Sequence, residues 1–372
     1  MKHYNKKSIK AYFTMALLML STVAFSQGLT LPRAASPAAE VTQRVGITDI
    51  TINYSRPSVN DREIWGALVP YGMTNLGFGP ATVSPWRAGA NENTTIEFSD
   101  DVTIGGKAIK AGIYALFLEV KEGGGATLIL SNNSSSWGSF FYDESEDAAR
   151  IDIQTEEVPH TELLTFEFIA VDATSATAAL KWEKMSFPFK IEAAVPEIVM
   201  ASIRDELRTT PGFNHANWNA AANYALNNTD NLDEALTWSE SAISAPFVGQ
   251  KNFNNLQTKA NILAKMGKQA EADAIMEEAM PLGTVFQIHQ YGRTLIAQGE
   301  KDKALEVFKK NAKLNKDTWP VNYGLARGYS ALGDYKTALK YLNAAMENAP
   351  AQPNKDRVAA NIKKLENNED IN

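Results

Sequence analysis

The sequence contains no cysteine. Disulfide bonds, thiol catalysis, thiolate metal ligands and a lipid-modified cysteine behind a leader are therefore all excluded. Histidine is also scarce, with 4 residues in the chain, and none of them stands in an HExxH or similar metal-binding spacing. The folded chain must be stabilised by packing alone, and we predict neither a metal site nor a cofactor.

Sequence motifs of the common enzymes are missing as well. There is no GxSxG, SxxK, P-loop or GxGxxG pattern, so the hydrolase and nucleotide sites that carry such local signatures are not indicated. An acidic segment at residues 143–147 begins like a calcium loop, but Ala148 and Gln154 stand where such a loop needs glycine and glutamate. We therefore predict that this segment is a solvated turn.

Long apolar runs are confined to residues 11–25, which follow four lysines. A basic start, an apolar stretch and small residues at Ala24 and Ser26 predict a signal peptide that is cleaved before Gln27. The run is shorter than the roughly 20 residues that a membrane-spanning helix needs. We expect an exported protein, periplasmic or extracellular, with no membrane span after cleavage.

Positive charge is in deficit. Cleavage would remove four lysines and no acidic residue, which lowers the formal net charge from −7 to −11. Binding to a nucleic-acid backbone needs clustered cations, so nucleic acid is not expected as a partner. The remaining length of about 345 residues exceeds what one core usually serves and predicts two domains.

Residues 40–191 consist of short alternating runs punctuated by glycine. Ile50, Ile52 and Tyr54 alternate with polar residues, as a half-buried strand requires. Gly105 and Gly106 separate two short apolar runs and predict a tight hairpin. Further strands are expected at residues 113–120, 126–130, 151–153, 163–171, 176–182 and 187–191. Eight or nine strands with no long helix between them predict an antiparallel β-sandwich or β-barrel.

Residues 214–350 repeat with a period near 34 residues and resemble tetratricopeptide (TPR) helix pairs. The clearest copy has small, aromatic, turn and stop residues at the TPR positions: Leu325, Ala326, Tyr329, Gly333, Tyr335, Ala338, Leu342, Ala345 and Pro350. Earlier copies contain Gly299 and Gly267, and a weaker first copy has Asp230 in place of the turn glycine. Each pair hides its apolar face against the next. We predict an α-helical solenoid of about four pairs whose concave face binds a protein or peptide.

The segments on either side of the repeats are also expected to be helical. Pro196 suits the first turn of a helix that residues 210–212 would stop. We therefore predict a bridging helix within residues 193–213. Residues 351–372 are expected to form a capping helix and a tail.

Six short strings stand out in the first half: VTQRVG (41–46), NYSRPS (53–58), VPYG (69–72), WRAGANE (86–92), AGIYALF (111–117) and LKWE (180–183). Together they resemble the DUF2911 family. The resemblance covers residues 38–192 and implies a fold unit of secreted bacterial proteins that often precedes a helical tail; it implies no particular reaction. In the family the VPYG string runs almost directly into the WRAGANE string, whereas here residues 73–85 intervene. This insert is rich in glycine and proline and should be a loop that reshapes any groove between the two strings.

The candidate ligand-binding residues lie in or beside the turns of these strings, where polar groups often serve binding. They are Arg56, Tyr71, Trp86, Arg87, Asn91 and Glu92. Arg87 could hold a carboxylate or phosphate with two parallel hydrogen bonds, while Asn91 and Glu92 position a polar ligand. The structural alternative is that the arginines satisfy loop carbonyls and pair with Glu92 or Asp61.

The sequence favours a non-catalytic binding protein whose repeats mediate protein–protein interaction and whose β domain has no assigned role. The alternative is that the β domain is an enzyme or a small-ligand-binding module and the repeats are a docking arm. Convergence of Arg56, Arg87, Asn91 and Glu92 on one concave pocket would favour the alternative. Pairing of these side chains at the surface would favour the scaffold. The sequence indicates no oligomeric state.

Overall fold

The structure is a computed structural model that describes residues 35–316 and 318–372. The predicted signal peptide lies outside these residues. The chain divides into two compact units between Ala194 and Val195. The first unit is built from strands and the second from helices.

Ten strands are described in the first unit. They are β1 (Ala38–Val45), β2 (Thr48–Ser55), β3 (Thr95–Phe98), β4 (Val102–Ile104), β5 (Lys107–Ile109), β6 (Gly112–Val120), β7 (Ala126–Ser131), β8 (Asp147–Ile153), β9 (Glu156–Val171) and β10 (Ser175–Ala193). One sheet has the order β1-β2-β3-β6-β7-β8 and the other the order β5-β4-β10-β9, with antiparallel pairing throughout. In the described part of the unit neither sheet closes into a barrel. The open two-sheet arrangement is therefore the one that forms.

Alternation of apolar and polar residues places the core as predicted. Ile50 and Ile52 of β2 are fully buried, whereas Thr51 is partly exposed. The predicted hairpin is confirmed: Ile104 pairs with Lys107 across Gly105 and Gly106. Both glycines have positive φ angles, 55° and 78°, which cost a residue without a Cβ little.

Strand β10 differs from the prediction, because the two strands expected at 176–182 and 187–191 are one strand of 19 residues. Its pairing register with β9 shifts on both sides of Glu183, whose φ is 53°. Such a bulge bends a strand without ending it. The polar residues Glu183 and Lys184 interrupt the apolar pattern, and the sequence therefore predicted two strands instead of one.

The connection from β2 to β3, residues 56–94, is long but tied to the sheet by backbone hydrogen bonds. Trp86 and Leu118 exchange two such bonds of 2.9 Å, and Gly72 donates one of 2.7 Å to Val120. Within the predicted insert, Thr74 and Ser84 also exchange two bonds of 2.9 Å. The insert is thus a loop closed at its base.

Ten helices are described in the second unit. They are α1 (Val195–Glu206), α2 (His215–Asn228), α3 (Leu232–Ser244), α4 (Phe253–Lys265), α5 (Gln269–Ala279), α6 (Val285–Ala297), α7 (Lys301–Asn315), α8 (Trp319–Ala331), α9 (Tyr335–Glu347) and α10 (Gln352–Glu366). Helices α2 to α9 form four consecutive pairs. Small residues of the repeat pattern lie in their cores: Ala222, Ala235, Ala260, Ala272, Gly292, Ala304, Ala326 and Ala338 are buried.

Turn glycines end the first helix of the last three pairs. Gly267, Gly299 and Gly333 have φ angles of 78°, 86° and 81°. After each glycine the next residue donates a backbone hydrogen bond back into the helix, for example Asp334 to Tyr329 at 3.0 Å. This is the Schellman pattern that satisfies otherwise unpaired carbonyl groups. The first pair turns without a glycine, as its sequence predicts.

Helix α1 packs with the first pair, because Met200 shares a buried cluster with Ala221, Ala225 and Trp238. At the other end, Val358 and Leu365 of α10 share a cluster with Leu342 of α9. No helix in the described parts of the chain is both long and apolar enough to cross a membrane.

Candidate functional site

A cavity of about 700 Å³ opens in the first unit, under the connection between β2 and β3. Its wall includes residues 35–37, several residues of that connection, Ser139 and Trp182. Three of the six candidate residues lie in the wall, namely Trp86, Arg87 and Asn91. Arg56, Tyr71 and Glu92 do not line it. The predicted set therefore converges only in part.

Arg87 is held on three sides. Its Nη1 donates a hydrogen bond of 2.9 Å to the Asn91 carbonyl, and its guanidinium carbon lies 4.9 Å from the centroid of the Phe140 ring. A Cβ atom added to Gly138 would come within 2.6 Å of Nη1, so the glycine leaves room for the guanidinium group. Burial lowers the pKa of Arg87 from its usual range. Among the residues that the structure describes, no carboxylate forms an ion pair with it.

The backbone around Arg87 is unusual. Ala88 and Asn91 have φ angles of 49° and 63°, a region that asparagine tolerates better than alanine. Ala88 is fully buried. Strained residues of this kind are found more often at ligand sites than elsewhere, since the surrounding structure must hold them in place.

Arg56 has the structural role that the sequence left as an alternative. Its Nε donates to the Leu164 carbonyl at 2.9 Å and its Nη2 to the Thr165 hydroxyl at 2.6 Å. The residue thus fastens the end of β2 to β9. Tyr71 is also outside the cavity, packed over Gly66, where an added Cβ would lie 2.9 Å from its ring.

The wall contains polar groups that the sequence prediction missed. Arg62 lines the cavity while its guanidinium group donates to the carbonyls of Val59 and Ser58. Ser84 also lines it and is 3% exposed, and its hydroxyl has no hydrogen-bond partner among the residues that the structure describes. Arg62 stands in a polar turn like those of the predicted residues, so the same criterion would have found it.

Tryptophans form the floor of this region. Trp86 and Trp182 stack with ring centroids 5.8 Å apart at 13°, and Trp65 meets both rings edge-on. Both Trp86 and Trp182 line the cavity, together with Leu68 and Val69. The floor is therefore rigid and largely apolar.

The carboxylate oxygens of Asp143 and Asp147, in the acidic segment at 143–147, accept hydrogen bonds from other groups of the protein. Asp143 accepts hydrogen bonds from the backbone and hydroxyl of Ser145, and Asp147 accepts from Tyr142 and Arg150. In the described parts of the chain no group of three His, Asp or Glu side chains is arranged to hold a metal ion.

The second unit has a separate candidate surface, on the first helices of the last three pairs. Equivalent positions of α4, α6 and α8 carry polar or aromatic side chains, and we call these residues the first-helix face: Gln257, Asn261, His289, Arg293, Tyr323 and Arg327. The His289 and Tyr323 rings stack at 6.1 Å and 9°, and the Arg327 guanidinium group lies 5.0 Å over the Tyr323 ring. Two of these six residues are arginines and none is acidic, and Tyr323 among them is buried, at 4% exposed.

A cavity of about 770 Å³ adjoins the face between the second and third pairs. Gln257 and Asn261 of the face line it, as do Asp273 and Lys303. Few Cα atoms of α6 lie within 8 Å of α4 or α5. In the next step of the stack, α8 lies closer to α6 and α7 by the same measure. Side chains, including Met276 and Leu295 in one buried cluster, fill part of the gap.

The tail of the chain lies against α8 on this face. The Arg327 guanidinium group donates to the side chain of Asn372 at 3.2 Å, and Asn372 donates back to the Arg327 carbonyl at 3.1 Å. The Ser330 hydroxyl donates to Asp370 at 2.6 Å and accepts from the backbone of Ile371 at 3.1 Å. Ile371 is 4% exposed. A short non-helical acidic segment is therefore bound through main-chain and side-chain contacts.

A two-sheet β unit followed by stacked helix pairs defines the architecture of this protein. Residues 36–191 match the model of the DUF2911 family, described as a protein of unknown function, and residues 320–352 match a tetratricopeptide repeat model. Both resemblances inferred from the sequence are thereby confirmed for these segments. Comparison with curated proteins gave no match.

Several solved structures are similar to part of the chain. The C-terminal part of a TPR protein from Cytophaga hutchinsonii is 16% identical, with 46% of this chain and 67% of that chain covered and a TM-score of 0.33. A tetratricopeptide repeat protein from Parabacteroides merdae is 18% identical, with 47% and 73% covered and a TM-score of 0.29. YrrB, described as a TPR protein with an unusual peptide-binding site, is 20% identical, with 45% and 84% covered and a TM-score of 0.29.

Proposed function

We propose that the chain is a binding scaffold whose helical repeats hold a partner protein through an extended acidic segment on the first-helix face. The observation that supports this most directly is the docking of residues 370–372 on α8 by Arg327 and Ser330. A peptide from another protein could make the same contacts with its own backbone and side chains.

Charge supports an acidic segment in particular. Arg293 is exposed, and the pKa of His289 is lowered first by burial and then by the charges of Arg327 and Arg293. Positive charges on neighbouring helices raise the encounter rate with an acidic partner and disfavour basic ones. The open cavity beside Gln257 and Asn261 gives the segment room to continue along the stack.

A charge reversal on the intact chain tests this proposal. Wild type, Arg293→Glu and a control, Lys313→Glu, would each be used to capture proteins from the envelope fraction of the source cells. Lys313 is an exposed residue of α7 and forms no ion pair with another described residue. A partner identified by mass spectrometry should be retained by wild type and by the control and be lost with Arg293→Glu. An acidic peptide from that partner should then bind wild type and the control with similar affinity and Arg293→Glu more weakly. Capture that does not distinguish the three chains would refute the proposal.

We further propose that the chain acts outside the cytoplasm, in the periplasm or beyond. The support is the basic and apolar start of the sequence, as a secretory signal requires. The check is the N-terminus of the protein recovered from cells. Peptide mapping should find Gln27 as the first residue, and recovery of the lysine-containing start from the soluble cell interior would contradict export.

A further inference from the structure

The cavity of the first unit has a one-sided charge. Arg62 and Arg87 lie in its wall, and none of the residues described as lining it is an aspartate or glutamate. The whole chain has more acidic than basic residues, so a wall with two cations and no carboxylate does not reflect average composition. Positive potential that none of the described wall residues neutralises attracts an anion from solution.

The two arginines have different capacities. Arg62 uses Nε and Nη2 on the carbonyls of its own loop, so it keeps its charge but cannot offer that edge to a ligand. Arg87 uses Nη1 on the Asn91 carbonyl, while its Nε and Nη2 donate no hydrogen bond within the described residues and are not among the buried unpaired atoms. This edge has two parallel N–H groups that no described residue uses, the arrangement that a carboxylate or phosphate matches with two hydrogen bonds.

Arg87 is also prepared for a ligand. The Phe140 ring, Gly138 and the Asn91 carbonyl restrict its guanidinium group before anything binds. A side chain that is already ordered loses less conformational entropy on binding. Half-burial strengthens a charged hydrogen bond, because water competes less for the same groups.

The rest of the wall indicates what the anion is attached to. Leu68, Val69, Trp86 and Trp182 supply an apolar surface beside Arg87. The volume of about 700 Å³ is within the range of about 300–1,000 Å³ that small organic ligands occupy. An inorganic ion would leave most of that surface unused.

We propose that this cavity binds a small organic anion whose carboxylate or phosphate group takes the Nε–Nη2 edge of Arg87 and whose apolar body lies against Trp86 and Leu68. This inference is independent of the partner proposed for the helical unit. Both head groups offer the same pair of acceptor oxygens, so they are distinguished by experiment.

The test uses the intact chain from residue 27 and three probes of similar shape: phenyl phosphate, benzoate and uncharged benzamide. Saturation-transfer NMR detects binding, and calorimetric titration at low ionic strength gives the affinity. Phenyl phosphate, benzoate or both should bind, and benzamide should bind at least about tenfold more weakly. The tighter of the two anions identifies the head group.

Four variants make the test specific. Arg87→Gln should weaken binding of the anion by at least about tenfold. Arg87→Lys should give an intermediate affinity, because lysine keeps the charge without the planar guanidinium fork. The control Arg44→Gln, at an exposed ion pair of β1, should leave the affinity unchanged. Leu68→Trp should also weaken binding by filling the cavity, and it keeps the test valid if Arg87→Gln unfolds. Equal binding of benzamide, no binding of either anion, or full affinity in both Arg87→Gln and Leu68→Trp would overturn the proposal.

Discussion

The Nδ1 atom of His289 donates a hydrogen bond of 3.0 Å to the carbonyl of Pro320 and so joins α6 of the third helix pair to α8 of the fourth. The imidazole lies between the rings of Phe308 and Tyr323, with centroids 5.6 and 6.1 Å away. Burial lowers the pKa of His289, the Pro320 bond opposes this change and the charges of Arg327 and Arg293 add to it, so that the pKa is about 4. The neutral ring is therefore part of the folded contact between the two pairs.

This contact predicts a pH dependence. A folded pKa of about 4 lies below the ordinary value near 6.5, so the unfolded chain binds the proton more readily. The contribution of neutral His289 is present above about pH 6.5 and is lost as the pH falls toward 4, by up to about 3 kcal/mol at roughly 1.4 kcal/mol per pKa unit. Urea unfolding of the helical signal, measured at several pH values, should show a smaller loss in His289→Gln than in wild type.

The matched control for that measurement is His160→Gln. His160 is exposed in β9 and contacts Glu162 at 3.2 Å, so its replacement should leave the pH dependence of the helical signal unchanged. Parallel curves for wild type and His289→Gln would show that the ring does not titrate in this way.

Gly292 and Phe308 predict a packing effect in the third pair. A Cβ atom on Gly292 would lie 2.5 Å from the Phe308 ring, and Phe308 is 1% exposed. Gly292→Ala should destabilise the helical unit by about 1–3 kcal/mol, as inserted atoms do in a filled core. Gln290→Ala on the exposed side of α6 should have little effect.

Combining Gly292→Ala with Phe308→Leu provides the decisive comparison. The smaller side chain leaves space for the new methyl group, so the double variant should lose less stability than the sum of the two single variants. Additive losses in equilibrium unfolding would place the cost of Gly292→Ala elsewhere.

The repeats could be predicted from the sequence because their information is local. A small residue at Ala260 or Ala326 and a glycine at 299 or 333 recur at fixed spacing, and each meets a partner within its own pair or the next. The tail contact could not be predicted in this way. Asp370 and Ile371 follow no period, and their partner Ser330 lies 40 and 41 residues earlier in the chain.

The candidate site shows the same division between local and distant information. Their position in a polar turn predicted Arg87 and Asn91 as ligand-binding candidates, and these residues do lie in one cavity wall. The same criterion selected Arg56, whose side chain instead donates to the carbonyl of Leu164, 108 residues away on β9 of the other sheet. Side chains in equivalent turns are thus assigned to a cavity or to a strand contact by tertiary packing. Trp182 enters the wall from β10 for the same reason.

Arg56 should therefore behave as a structural residue. Arg56→Lys removes the two-armed contact to the Leu164 carbonyl and the Thr165 hydroxyl, because a single ammonium group cannot reproduce the planar fork. We expect a loss of about 1–3 kcal/mol in the stability of the β unit. The affinity for phenyl phosphate or benzoate should stay unchanged, and a loss of affinity without a loss of stability would return Arg56 to the ligand site.

Gly138 should control the position of Arg87 without contacting a ligand. Its φ is 59°, and an added Cβ would lie 2.6 Å from Nη1 and 2.7 Å from the guanidinium carbon. Gly138→Ala should therefore push the guanidinium group off the Phe140 ring. The expected result is a marked drop in affinity for the anionic probes with no change for benzamide.

Backbone strain alone has to be separated from this displacement. Gly106 has a comparable φ of 78°, and an added Cβ there would meet nothing within 4 Å. Gly106→Ala should reproduce the strain, of order 1 kcal/mol, without moving Arg87. If both variants lose stability to a similar degree but only Gly138→Ala loses anion affinity, the displaced guanidinium group accounts for the loss. Equal anion affinity in the two variants would mean that the position of Arg87 does not determine binding.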